Sequence, residues 1–218
     1  MNPTIENICD ELNSSGIIGK PGSIMFELGG ICIDIDNKDV MGGILQSWLG
    51  AWFESKNFDL EPDLETQKFP DFNFSNGMKL ELKTFDSEKG PAFDIANFNS
   101  YVRSLLKTPE RLDFEYLVLS YKFVNTAVSI EQVWAKKVWE LCGSSETNVL
   151  NLQKRNGVVY NIRPKNWYNK DVDIFKSRRD FVKALSGAIT KFGVQNLDGR
   201  VWFNDVSDLY LKRTGLQL

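Results

Sequence analysis

The stretch FPDFNFSNGMKLELKTF, residues 69–85, constrains the chain more than any other. Apolar and polar residues alternate on both sides of a break at Ser75-Asn76-Gly77, which is the period of strands rather than helices. Met78, Leu80 and Leu82 fall on one face of the second strand, and Lys79, Glu81 and Lys83 on the other. In the first strand Asp71 and Asn73 share a face, opposite Phe72 and Phe74. The turn decides which faces coincide. A two-residue Asn76-Gly77 turn sets Asp71 across from Leu82, with the acids on opposite sides of the sheet. A three-residue Ser75-Asn76-Gly77 loop sets Asp71 across from Glu81, and its last position favours a left-handed residue, here Gly77. The second register also gathers the apolar residues on one face, as a single core requires, and is the expected one.

Two carboxylates at opposed positions repel each other unless a cation lies between them. Oxygen ligands suit Mg²⁺, which takes one or two carboxylates plus substrate phosphate. Lys83, two residues beyond Glu81, then lies beside the attacking water. It can position or deprotonate that water, or neutralise charge in the transition state. The grouping makes sense as a metal-dependent phosphodiester hydrolysis site. The 218 residues include no histidine, which removes Ser-His-Asp and Cys-His catalysis, zinc-His sites and nucleases with a His base.

The length suffices for one full domain. No apolar run is long enough to span a membrane, and MNPTIENICDELN lacks the regions of a secretory signal, so no membrane partner is expected. Cys9, Cys32 and Cys142 are far apart and form no CxxC pair, which fits a reducing cytoplasm. Net charge is −3, but its distribution is uneven. Residues 1–83 hold 14 acids and 6 bases, net −8, and residues 154–183 hold 9 bases and 3 acids, net +6. Phosphate binding needs local rather than global positive charge, although a solvated basic face has the same composition.

Along the chain, 23–35 reads as two strands around Gly29-Gly30, and 41–56 as a helix with Ile44, Leu45, Trp48, Leu49, Trp52 and Phe53 at helical spacing. An acidic loop to about residue 68 precedes the hairpin. A helix is expected over 94–107 with Asp94 as N-cap, a buried central strand over 114–123, and a helix over 130–143 closed by Gly143. A strand over 157–164 and a helix over 177–193 capped by Ser177 follow. Residues 41–123 therefore order as α, β, β, α, β, a mixed α/β (α+β) sheet flanked by helices. The expectation is a single domain over 1–218, with its core at about 41–125. A C-terminal α/β extension over about 126–218 would contribute to DNA binding or dimerisation.

Pro70-Asp71, nine intervening residues, then Glu81-Leu82-Lys83 resembles the motif of the PD-(D/E)XK nuclease superfamily. The helix before, the hairpin holding the motif, the helix after and the buried strand are similar to its αβββαβ core, with one strand unassigned. The chain most resembles type II restriction endonucleases over roughly residues 41–170. The runs QSWLGAWF, FPDFNF, LELKTFD, FDIANF and YNIRPKNWY look like a subgroup reading GC-rich palindromes with an unspecified centre, GGNNCC-like. The resemblance implies that Asp71 and Glu81 hold Mg²⁺ with the Leu82 carbonyl, and that Lys83 serves the attacking water. It implies double-stranded DNA as substrate, 5′-phosphate and 3′-hydroxyl ends, and a homodimer for a palindromic target. Many members place a Glu on the first helix. Here Gln46 stands mid-helix, either a metal ligand or orienter of Lys83 or a solvated residue, and Glu54 reads as a surface charge.

Other candidates lie further on. Lys89, in the loop leaving the catalytic strand, and Asn97 on the next helix are candidate DNA contacts. Arg163, Lys165 and Asn166 interleave with Trp167 and Tyr168, a mixture suited to phosphates and bases as well as to a strand end with core aromatics. Arg178 and Arg179 stand at a helix start, against the helix dipole. That placement needs an anionic partner, either DNA phosphate or a local acid such as Asp180. Two rival functions remain open: a structure-specific repair or RNA-processing nuclease on the same core, and a non-catalytic DNA-binding domain.

Overall fold

The computed structural model describes residues 3–35, 37–61 and 69–218. The expected acidic loop to residue 68 lies largely outside the described residues. The chain divides into two compact units, one of residues 1–91 with 115–136 and the other of 92–114 with 137–218.

The first unit opens with α1 (Ile5–Ser14), whose N-cap Thr4 accepts from the Asn7 amide. Next come β1 (Gly22–Ser23) and the hairpin β2 (Met25–Leu28) and β3 (Ile31–Asp34). That hairpin turns on Gly29 and Gly30, both at positive φ, as a two-residue primed turn demands. The expected helix follows as α2 (Met41–Ser55). β4 (Phe72–Asn73) and β5 (Lys79–Asp86) form the motif hairpin. In the second unit come β6 (Ala96–Asn97) and α3 (Phe98–Leu105). The chain then returns to the first unit with β7 (Glu115–Val124) and β8 (Ala127–Lys137).

These strands build a five-stranded sheet in the order β1-β8-β7-β5-β4. β5 and β7 are parallel, from Leu80 beside Glu115 to Asp86 beside Tyr121, and β4 runs antiparallel to β5. The expected central strand is β7, buried over Tyr116–Tyr121. The Leu80 and Leu82 side chains, with Leu117 and Leu119, pack under Ile8 and Leu12 of α1 and Leu45, Leu49 and Phe53 of α2. This core fixes which row of β5 faces inward, and hence where Glu81 points.

In the second unit, α4 (Val138–Leu141), β9 (Leu152–Arg155), β10 (Val158–Ile162), α5 (Arg178–Phe192) and α6 (Gly199–Thr214) complete the chain. β6, β10 and β9 pair as a three-stranded sheet. Ser177 caps α5 as expected, accepting from the Asp180 amide. Among the described residues no helix is long and apolar enough to cross a membrane. All three cysteines are free thiols.

Two expected helices are corrected. The helix over 130–143 is mostly strand β8, leaving only α4 at its end. Ile130, Trp134 and Val138 fit helical spacing, but the segment turns back on β7 at Asn125, which adopts φ +57°. Pairing with a fully buried strand outweighs local propensity. Gly143 is not a helix cap: a Cβ there would fall 2.3 Å from the Asp173 carbonyl oxygen, so the residue admits a close backbone approach. The helix expected from Asp94 begins instead at Phe98, with Asn97 as N-cap, because residues 96–97 pair with β10 first. β8 falls almost wholly in the first unit, and 92–114 in the second.

Candidate active site

The β4–β5 pairing sets Phe72 opposite Leu80 and Asn73 opposite Lys79. Continuing that register places Asp71 opposite Glu81, the three-residue alternative. Phe74 and Met78 close the loop, the Gly77 amide donates to the Phe74 carbonyl at 2.8 Å, and Gly77 sits at φ +86°. The loop residue with no side chain thus selects the register that brings the acids together.

One step further, the register sets Pro70 opposite Leu82. A strand residue directs its N–H and C=O to the same neighbour, and proline offers no N–H in return. The Leu82 amide instead donates to Asp71 Oδ2 at 2.8 Å. The Leu82 carbonyl, in the same strand geometry, points to the same edge, where Pro70 has no N–H to offer it.

Glu81 is buried, with 6 % exposure. Its Oε1 accepts from Lys83 Nζ at 2.8 Å, while its Oε2 is buried and meets no full hydrogen bond among the described residues, with the Asp71 amide the backbone group that helps hold its charge. Burial raises the Glu81 pKa above the ordinary carboxylate range; Lys83 opposes the rise and the Asp71 charge adds to it. Burial also raises the Asp71 pKa, against the Leu82 amide and Lys83. The buried Glu81 Oε2, the neighbouring Asp71 carboxylate and the Leu82 carbonyl form a small oxygen-donor set. The described residues contain no group of three or more His, Cys, Asp or Glu placed to hold a metal, so the site is a pair. A pair plus a carbonyl suits an ion that keeps water and phosphate in its remaining positions.

Gln46 lies on the row of α2 that includes Gly42 and Gly50, four residues to either side. A Cβ at Gly42 would come 3.9 Å from Thr84 Oγ1, and at Gly50 3.6 Å from the Phe72 ring. That row faces β4 and β5 from the side of Leu80, Leu82 and Thr84, opposite the row of Glu81 and Lys83. Gln46 makes no hydrogen bond with the described residues.

The remaining candidates divide sharply. Asn97 accepts from the Ser100 amide and donates to the Tyr160 carbonyl at 3.0 Å each, so its amide caps α3 and ties it to β10. Arg163 pairs with Asp94 Oδ1 and donates to the Ala92 carbonyl, each at 2.6 Å. Arg178 meets a local acid, as one alternative required, but the acid is Asp113 at 2.8 Å rather than Asp180. Its guanidinium also lies over the Trp139 and Tyr210 rings. Lys89 and Arg179 are exposed, and neither makes an ion pair with the described residues. The Lys165 amide donates to the Leu141 carbonyl, and Asn166 Oδ1 is buried without a partner. Sequence reasoning missed Asp113, whose position shortly before the central strand carried no signal of its role.

Asp71, Glu81 and Lys83 thus gather on adjacent strands of a mixed sheet in a chain that contains no histidine. The chain matches the model of the NgoBV restriction endonuclease family over residues 2–218. It belongs to that family, whose members are type II restriction endonucleases. The type II restriction enzyme NlaIV of Neisseria lactamica is 33 % identical over 218 residues, 96 % of this chain and 90 % of that protein. The type II restriction enzyme NgoBV of Neisseria gonorrhoeae is 31 % identical, covering 70 % of this chain and 90 % of its own. The solved structure of NlaIV restriction endonuclease superposes with a TM-score of 0.91 at 31 % identity, covering 100 % of this chain and 92 % of that one. The mixed α/β fold expected from the sequence is the fold of that enzyme.

Proposed function

We propose that the β4–β5 hairpin is the catalytic site of an Mg²⁺-dependent endonuclease that cuts double-stranded DNA at a palindromic, GGNNCC-like sequence. The observation that carries this reading is Glu81 Oε2, a buried carboxylate oxygen beside Asp71 that meets no full hydrogen bond among the described residues. Asp71, Glu81 and the Leu82 carbonyl would hold the ion. When bound, it would supply charge neutralisation and Lewis-acid polarisation at the scissile phosphate. Lys83 holds Glu81 Oε1 and so leaves Oε2 as the open oxygen. Its ammonium would also orient the attacking water and offset charge developing on the phosphate. Water adds to phosphorus as the 3′-oxygen leaves, giving 5′-phosphate and 3′-hydroxyl ends. Gln46 takes a positioning role, bracing β5 through the Leu82 row.

Both units would serve one nuclease domain, acting as a homodimer in the cytoplasm, because one active site cuts one strand of a palindrome. Lys89, Lys165 and Arg179 would contact phosphates. Arg163, with Asn166 nearby in sequence, would read bases, with Asp94 holding the guanidinium in orientation. Asn97 and Arg178 support these segments from within the second unit.

Digestion of a plasmid of known sequence with Mg²⁺, followed by mapping of the ends, tests this reading. Discrete fragments whose ends share one short palindrome are expected. Cleavage only at flaps, junctions or RNA would favour the structure-specific rival instead. No cleavage with any divalent cation would leave a DNA-binding domain.

A further inference from the structure

The β2–β3 hairpin carries an apolar face that nothing in the described chain covers. Its register pairs Phe26 with Ile33 and Leu28 with Ile31, so these four side chains share one face. They are 51 %, 50 %, 70 % and 70 % exposed, respectively. The other face is mixed, with Met25 opposite Asp34 and Glu27 opposite Cys32. An isolated two-stranded ribbon is marginally stable in water and needs packing on one side. A contiguous exposed face of this kind marks an interaction site.

The occupant follows from area, charge and symmetry. Residues 22–35 contain two acids, Glu27 and Asp34, and no base, so phosphate is repelled and DNA is a poor occupant. The four side chains expose roughly 500 Å² together, so two such faces packed on each other cover about 1,000 Å², the threshold for a specific interface. A two-fold axis brings one patch onto its own copy, and an apolar face needs a partner that is itself apolar, which a second copy supplies without any further surface. At the hairpin's root a cleft of about 350 Å³, lined by Ile17, Ile24, Ile44, Trp48 and Trp52, adds apolar surface to the same region.

We propose that the face formed by Phe26, Leu28, Ile31 and Ile33 is where a second copy of this chain docks, hairpin against hairpin. The inference deepens the homodimer reading above and rests on it.

Sedimentation of the full chain without DNA or metal tests it, alongside thermal unfolding. The natural chain is expected to sediment as a dimer at micromolar concentration. Leu28→Lys with Ile31→Lys is expected to weaken dimerisation at least 100-fold while leaving the melting temperature of the monomer unchanged. Should the charged pair lower that temperature, Leu28→Ser with Ile31→Thr takes its place under the same expectation. Glu27→Lys on the opposite face is expected to leave the dimer intact. A monomeric natural chain, or a variant that remains dimeric, overturns the proposal; so does a variant that stays dimeric and loses duplex binding, which would assign the face to DNA. Plasmid cleavage is read separately. A monomer that cuts at discrete sites defeats the docking surface alone, and a dimer that never cuts defeats the nuclease alone.

Discussion

The first unit contains two hairpins that use strand alternation in opposite ways. In β4–β5 the acidic row lies on the face away from the apolar core, yet Glu81 is almost fully buried. In β2–β3 an apolar row is turned outward, with Leu28 and Ile31 each 70 % exposed. Each places side chains where their transfer free energies oppose the placement. A buried carboxylate oxygen left without a hydrogen bond and an uncovered apolar face are both incomplete, and each points to what would complete it: a cation for the first, a protein surface for the second. Chemistry concentrates where burial and polarity disagree, and ordinary core residues such as Leu49 or Val118 indicate none.

The sharpest way to break the contrast is to remove the acids. Asp71→Ala or Glu81→Ala is expected to lower cleavage by at least about 1,000-fold, the scale on which preorganised charge at a reacting group acts. Duplex affinity in Ca²⁺ should stay within about threefold, since the proposed DNA contacts lie on other segments. Cleavage at the natural rate in either variant would place the active site away from this hairpin.

A second test uses the contrast within the second unit, where neighbouring arginines are used differently. Arg178→Ala removes an ion pair to Asp113 and contacts with two rings, and is expected to lower unfolding free energy by about 2–3 kcal/mol in denaturant titration. Arg178→Lys should not restore it, because ammonium lacks the planar fork. An unchanged midpoint would show that the cluster contributes nothing to the fold.

The third test concerns the burial of Glu81. Its folded pKa is raised, so above that pKa the ionised folded form carries the full penalty, and below the unfolded pKa the penalty is gone. Glu81→Gln should therefore raise the melting temperature by about 2–4 °C near pH 8, on the order of 1 kcal/mol for a chain of this size. The gain should shrink as pH falls through the raised value toward the ordinary carboxylate range. Cleavage by the natural chain should fall over the same window, because protons compete with the cation for the acids. A gain that grew toward acid pH would contradict the burial argument.

The smallest effect is expected at Arg179. Replacement by Ala should reduce the slope of log affinity against log salt by about 0.9, one phosphate contact, with no change in melting temperature. An unchanged slope would make Arg179 solvent-facing only.

Much of this was legible before any coordinates. The period-two pattern and the Ser75-Asn76-Gly77 loop gave the register, and with it the meeting of Asp71 and Glu81. Other features were hidden for physical reasons. β8 carries apolar residues at spacings that satisfy both a helix and a strand, and only its long-range pairing with β7 decides between them. Asp94 and Arg163 lie 69 positions apart, so their ion pair has no local trace. The same distance problem hid Asp113 behind Arg178. The exposure of the 25–34 hairpin was equally invisible, because alternation shows that a strand has two faces without showing which one is covered.

The interleaving of the two units has a consequence for how the molecule can be taken apart. The chain passes between them after residues 91, 114 and 136, and the strands β5 and β7 that flank the first crossing lie side by side. No single truncation point releases either unit whole. A protein shortened at residue 136 would keep β5 but retain 92–114 without the partners that segment packs with, such as β10. A chain with 92–114 replaced by a short bridge is the minimal edit that would isolate the five-stranded sheet. The same threading means that β7 reaches its place beside β5 only after a segment of the other unit has been traversed, which ties assembly of the Glu81 strand to the second unit.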